Sequence, residues 1–182
     1  SHNNLGIALH RLGQVDAAIE SYQKALAVNP DYVEAHNNLG NAYKELGQLD
    51  DSVKCYKKAL TLKPDYTRAH NNLGIAFKQL GQLDDAIESY QKALAVNPDY
   101  VEAHNNLGNA YKELGQLDDS VKCYKKALTL KPDYAYAHNN LGNAFRELGQ
   151  LDDAVKSYEK ALAINPDFTG AQNNLSDAKA LK

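Results

Sequence analysis

His36-Asn37-Asn38-Leu39-Gly40 is one of five copies of a single stretch; the others begin at His2, His70, His104 and His138. Each copy starts 34 residues after the last, and a final echo, Gln172-Asn173-Asn174-Leu175-Ser176, has lost the histidine and the glycine. Proline keeps the same beat at Pro30, Pro64, Pro98, Pro132 and Pro166, as does Gly-Gln at Gly13, Gly47, Gly81, Gly115 and Gly149. A fixed period of this length means one supersecondary unit copied along the chain, stacked so that each copy touches its neighbours.

Within the unit Val33–Tyr66, Leu39, Ala42, Tyr43 and Leu46 fall at i, i+3, i+4 and i+7, which predicts an amphipathic first helix. Gly47 stands where a left-handed residue would end it. Asp50 is a candidate N-cap for a second helix, with Asp51 favourable beside the helix dipole. Val53, Tyr56, Ala59 and Leu60 mark that helix's inner face. Lys63-Pro64 stops it, and Asp65 can begin the next unit. Neither helix can bury its stripe alone, so hairpins must stack. The copies span 1–32 (cut short at its start), 33–66, 67–100, 101–134 and 135–168, and 169–182 reads as a capping helix. In that last segment Gln172 and Lys179 replace the histidine and aromatic of the repeats (His138, Phe145), as expected for a face turned to water. Val33–Tyr66 and Val101–Tyr134 are identical.

The 182 residues carry a net charge of −3 and no run of lysine or arginine, so no nucleic-acid footprint is expected. No apolar stretch is long enough to cross a membrane, and no signal segment is seen, which with unpaired cysteines sets the expectation of a cytoplasmic protein. No methionine occurs, so Ser1 is read as other than a native start. Cys55 and Cys123 lie two repeats apart, beyond the roughly 7 Å Cα reach of a disulfide. Ser21, Ser89 and Ser157 share their column, which marks it as small and partly exposed.

The spacing Leu39-Gly40-x-x-Tyr43, Ser52-x-x-x-Tyr56-x-x-Ala59 and Pro64 resembles the tetratricopeptide repeat (TPR). His36 and its equivalents stand where that family usually has tryptophan. The resemblance implies an all-α solenoid, a right-handed superhelix of antiparallel helix hairpins. Its first helices would line a concave groove that holds a peptide or partner protein.

On that frame, several constellations bear on function. The histidines lie on separate first helices about 8–10 Å apart, too far to share a zinc at about 2.0–2.1 Å, so no metal or other cofactor is expected. No phosphate loop or nucleophile–base set occurs, and Asp50-Asp51 doublets are read as cap residues, so the chain is read as non-enzymatic. Asn38, Asn72, Asn106 and Asn140, with Asn4 and Asn174 at the ends, form a column the family turns toward the groove. A carboxamide both donates and accepts, so a ladder of them can hold a peptide backbone without reading side chains. The arrangement resembles the repeat arm of O-GlcNAc-transferase-type enzymes, and a substrate-recruiting arm is one alternative. Asparagines that brace the fold are another. Asn37, Asn71, Asn105 and Asn139 are expected to enlarge the same polar surface. Ile7 and Ile75 alternate with Asn41 and Asn109, and Asn143 breaks the pattern. His10, Lys44, Lys78, Lys112 and Arg146 form a basic row offset by Glu45, Glu113 and Glu147, with a solvated helix edge as its plainest reading. The expected partner is a protein or extended peptide in the groove; the rival is end-to-end self-association through exposed repeat ends.

Overall fold

The computed structural model describes residues 1–182 and contains eleven α-helices. They fall into two compact units, Ser1–Pro98 and Asp99–Lys182. The first holds α1 (His2–Arg11), α2 (Val15–Val28), α3 (Val33–Glu45), α4 (Leu49–Leu62), α5 (Thr67–Gln79) and α6 (Leu83–Val96). The second holds α7 (Val101–Glu113), α8 (Leu117–Leu130), α9 (Ala135–Glu147), α10 (Leu151–Ile164) and α11 (Thr169–Ala180). Within each unit consecutive helices pack as hairpins, and each hairpin stacks on the next: the architecture is an all-α solenoid.

The turn inside each hairpin is a Schellman closure. The Gln48 N–H donates to the Tyr43 carbonyl at 2.9 Å and the Gly47 N–H to the Lys44 carbonyl at 3.0 Å. Gly47 holds φ +74°, the left-handed conformation the sequence assigns it, and is unhindered there because glycine lacks a Cβ. Two expectations need correction. Asp50 is not the N-cap: α4 begins at Leu49 behind Gln48, and Asp50 and Asp51 sit in the first turn, where Asp51 accepts from Lys54 at 3.0 Å. Their carboxylates oppose the positive end of the helix dipole instead of capping an N–H. Leu46 is 41 % exposed, because the helix stops one residue before it and swings it off the buried stripe.

The core of each hairpin is one tyrosine laid on one glycine. Tyr56 is fully buried, and a Cβ built on Gly40 would lie 2.6 Å from its ring. Tyr22, Tyr90, Tyr124 and Tyr158 repeat the contact on Gly6, Gly74, Gly108 and Gly142. The histidine that stands in place of tryptophan ties down the preceding proline loop: His36 Nε2 donates to the Pro30 carbonyl at 2.7 Å, as do His70 to Pro64 and His138 to Pro132. Since a carbonyl only accepts, the proton resides on Nε2.

Within each unit, every junction between hairpins carries its own matched pair. Gln23 Nε2 donates to the Tyr43 hydroxyl at 3.0 Å. At the equivalent places Lys57 lies 5.4 Å over the Phe77 ring and Lys125 5.5 Å over Phe145. Glu159 of α10 pairs instead with Lys179 of α11 at 3.1 Å. Helix α11 takes up the repeat's bonds in polar form, with Gln172 Nε2 donating to the Pro166 carbonyl at 2.8 Å where a histidine would. Ala171 and Ala178 are buried while Gln172 and Lys179 stay exposed. A lysine at position 159, as at Lys57 and Lys125 on α4 and α8, would repel Lys179. Glu159→Lys is therefore expected to raise amide exchange across α11 by roughly three- to five-fold, the scale of an exposed pair. Adding Lys179→Glu should restore protection.

Candidate functional site

The asparagine doublets resolve into two layers. In the five repeats the first member lies beneath the surface: Asn3, Asn37, Asn71, Asn105 and Asn139 are 1–8 % exposed, while Asn173 of α11 is exposed. They do not enlarge the polar surface as expected, because their place in the helix turns them into the seam between hairpins. The second member reaches back across that seam. Asn38 Nδ2 donates to Asn3 Oδ1 at 3.3 Å, Asn72 to Asn37 at 3.1 Å, Asn140 to Asn105 at 3.1 Å and Asn174 to Asn139 at 3.0 Å. The two layers thus form a carboxamide ladder that stitches each first helix to the one before it in the same unit.

Asn72 goes further, since its Nδ2 also donates to Asn41 Oδ1 at 3.1 Å. That oxygen is already the acceptor for the Tyr56 hydroxyl at 2.7 Å. Asn109 and Asn143 serve Tyr124 and Tyr158 alike, at 2.7 and 2.8 Å. The column that alternates between asparagine and isoleucine therefore reports what the buried tyrosine meets: Ile7 and Ile75, both half-buried, offer no acceptor to Tyr22 or Tyr90. Of the remaining candidates, Asn4 is exposed, and Asn38, Asn106, Asn140, Lys44, Lys78, Lys112 and Arg146 are half-buried.

The basic row is more than a solvated edge. His10 Nε2 lies 2.7 Å from Glu45 of the next first helix, and Lys112 Nζ lies 3.3 Å from Glu147. Each partner stands 35 residues on, so a glutamate at that offset was the available signal for these pairs. Lys44 is half-buried, and burial lowers its pKa against the opposing pull of Glu45.

On the second helices, clefts of about 900 Å³ and about 490 Å³ open beneath Phe145 and Phe77 respectively. Neither is lined by any candidate asparagine. Burial pushes the thiols of Cys55 and Cys123 up to about 11, which keeps them protonated and poorly nucleophilic.

A profile of the "TPR repeat" matches residues 6–47, 40–81, 76–115 and 108–145, and one of the "Tetratricopeptide repeat" matches 135–168. The chain belongs to the tetratricopeptide repeat family. TPR proteins are scaffolds for protein interaction, and the chain shares that architecture. No curated protein sequence matches it significantly. Among solved structures, MamA is similar at 32 % identity and TM-score 0.80, over 88 % of this chain and 94 % of that one. TTC0263, a thermophilic TPR protein from Thermus thermophilus, is similar at 28 % identity and TM-score 0.79, over 98 % and 97 %. YrrB, described as a TPR protein with an unusual peptide-binding site, shares the fold at 23 % identity and TM-score 0.76, over 94 % and 89 %.

Two outcomes follow for this TPR array. Asn37→Ala strips Asn72 of an acceptor inside the seam and should cost about 1–3 kcal/mol in a denaturant titration. The folded thiols bind their protons more tightly than the unfolded chain does, so their contribution to stability is full below about pH 9 and is lost as pH rises through about 11. Replacing Cys55 and Cys123 by serine, the residue of the sibling columns, should flatten the fall in urea midpoint between pH 9 and 11.

Proposed function

We propose that the first-helix face of each unit binds extended polypeptide through the carboxamide ladder: Asn38 and Asn72 in one unit, Asn106 and Asn140 in the other. The observation that carries this reading is the locked orientation of Asn72. Its two N–H groups serve two acceptors, Asn37 and Asn41, and the carbonyl oxygen, on a side chain that is 9 % exposed, is the part left to bond a ligand. A carboxamide so held presents its acceptor without reorganising, and the single seam bonds of Asn38 and Asn140 orient those rungs in the same way. First helices about 8–10 Å apart match every third residue of a chain extended as polyproline II, with three residues per turn at about 3.1 Å each. The occupant is thus recognised by backbone N–H groups and scarcely by side-chain identity. The peptide-binding site attributed to the fold neighbour YrrB agrees with this kind of occupant. Nothing in the arrangement calls for bond-making chemistry, and we read the chain as a non-enzymatic scaffold.

Methylating the backbone nitrogens of a captured peptide, one at a time, tests the reading with the protein untouched. Every third methyl group is expected to weaken binding by roughly three- to ten-fold, the value of one hydrogen bond. A flat profile would return the asparagines to a purely bracing role. A second reading, self-association, draws on the exposed Leu5, Leu12 and Val28, at 52, 73 and 78 %, where Leu39 and Leu73 in the column of Leu5 are 6 and 7 %. Light scattering that grows with concentration in the absence of peptide would favour it.

A further inference from the structure

The cations on the first-helix face follow a rule that Lys44 and Arg146 break, the residue 35 positions after Arg146 being Leu181. His10 and Lys112 each meet a glutamate 35 residues on, at 2.7 and 3.3 Å. Lys44 occupies the same register, and the residue 35 positions after it is Gln79. The comparison with Lys112 is close to an internal control, because Val33–Tyr66 and Val101–Tyr134 are identical. Their own 34 residues being the same, the two lysines differ through the neighbouring hairpins, and the following one sets Gln79 against Lys44 and Glu147 against Lys112. The carboxylate nearest to Lys44 in sequence, Glu45, is already engaged by His10. Lys44 also lies one helical turn beyond Asn41, which accepts from Asn72, so it flanks the ladder on the same helix face.

We propose that Lys44, left without a carboxylate by Gln79, receives an aspartate or glutamate side chain of the polypeptide lying along the N-terminal unit. The inference rests on the peptide-binding reading above and adds a side-chain preference to it. The ammonium supplies three donors, and the Gln79 carboxamide supplies N–H groups that a glutamate there would lack. A half-buried lysine is also ill-hydrated, and the downward pull of burial on its pKa fits a charge that a ligand carboxylate would stabilise. At Lys112 the same carboxylate would compete with Glu147 and meet its repulsion.

The probe is an array of decapeptides with acetylated N-termini and amidated C-termini, each made in matched glutamate and glutamine forms. Amidation removes the terminal carboxylate as a source of charge. The parent is expected to prefer the glutamate form at one peptide position by about five-fold at low salt, and less at high salt. Gln79→Glu should erase that preference. Glu147→Gln should create a second acidic position by freeing Lys112. Equal binding of both forms by the parent, a preference that survives Gln79→Glu, or no gain from Glu147→Gln would each overturn the inference. In those cases the glutamine forms still report whether the ladder binds peptide. Absence of binding to any peptide would overturn both readings.

Discussion

The contact of a tyrosine ring with a bare glycine backbone sets the distance between the two helices of every hairpin. A Cβ on Gly40 would enter the Tyr56 ring at 2.6 Å, so any larger residue forces the helices apart and unseats the neighbouring leucines. The ring also carries core information outward. Its hydroxyl ends at residue 41, one turn from the ladder, and the residue chosen there decides whether a first-helix side chain accepts its bond. With asparagine the hydroxyl donates to a side-chain oxygen that Asn72 shares, so tyrosine, Asn41 and Asn72 become one network. With Ile75 the corresponding site on the first helix is apolar. The polarity of the first-helix face is thus partly set from inside the hairpin.

Period, helix positions and turn glycines were legible because each depends on chemistry within a single unit. Gly47 at φ +74° and the burial of Tyr56 and Ala59 needed only local spacing. Asp50 misled because aspartate suits both the N-cap and the first turn, and the choice depends on which residue the preceding turn hands over. The doublet Asn37-Asn38 shows a different limit. Adjacent residues on a helix point about 100° apart, so one carboxamide had to leave the surface, but which one is decided by the hairpin packed behind it. The candidate site was therefore legible as a column and illegible as a network. Its partners lie 35 residues away, and no local pattern shows that Asn72 spends both donors on Asn37 and Asn41.

The seam bonds alter what the ladder offers. A freely rotating carboxamide presents donor and acceptor alike and loses rotamer freedom when it binds. Anchoring the nitrogen before any ligand arrives removes most of that loss, and at Asn72, where both N–H groups are used, it leaves only the carbonyl oxygen to bond. Bracing and binding are then compatible uses of the same side chain, provided that they use different atoms.

Near-identical repeats raise the question of where such a chain keeps its individuality. For residues 33–66 and 101–134 it cannot lie within the repeat, since the two do not differ at all. It lies where a residue of one hairpin faces a residue of the next. On the second helices those pairs are Gln23 with Tyr43, Lys57 with Phe77, Lys125 with Phe145 and Glu159 with Lys179. On the first helices they are His10 with Glu45 and Lys112 with Glu147. A stacked array exposes every unit to only its neighbours, so changing one residue of the following hairpin re-specifies the chemistry of an unchanged one. Lys44 and Lys112 are the same residue in the same 34-residue sequence, and Gln79 against Glu147 makes one a cation in want of a partner and the other half of an ion pair.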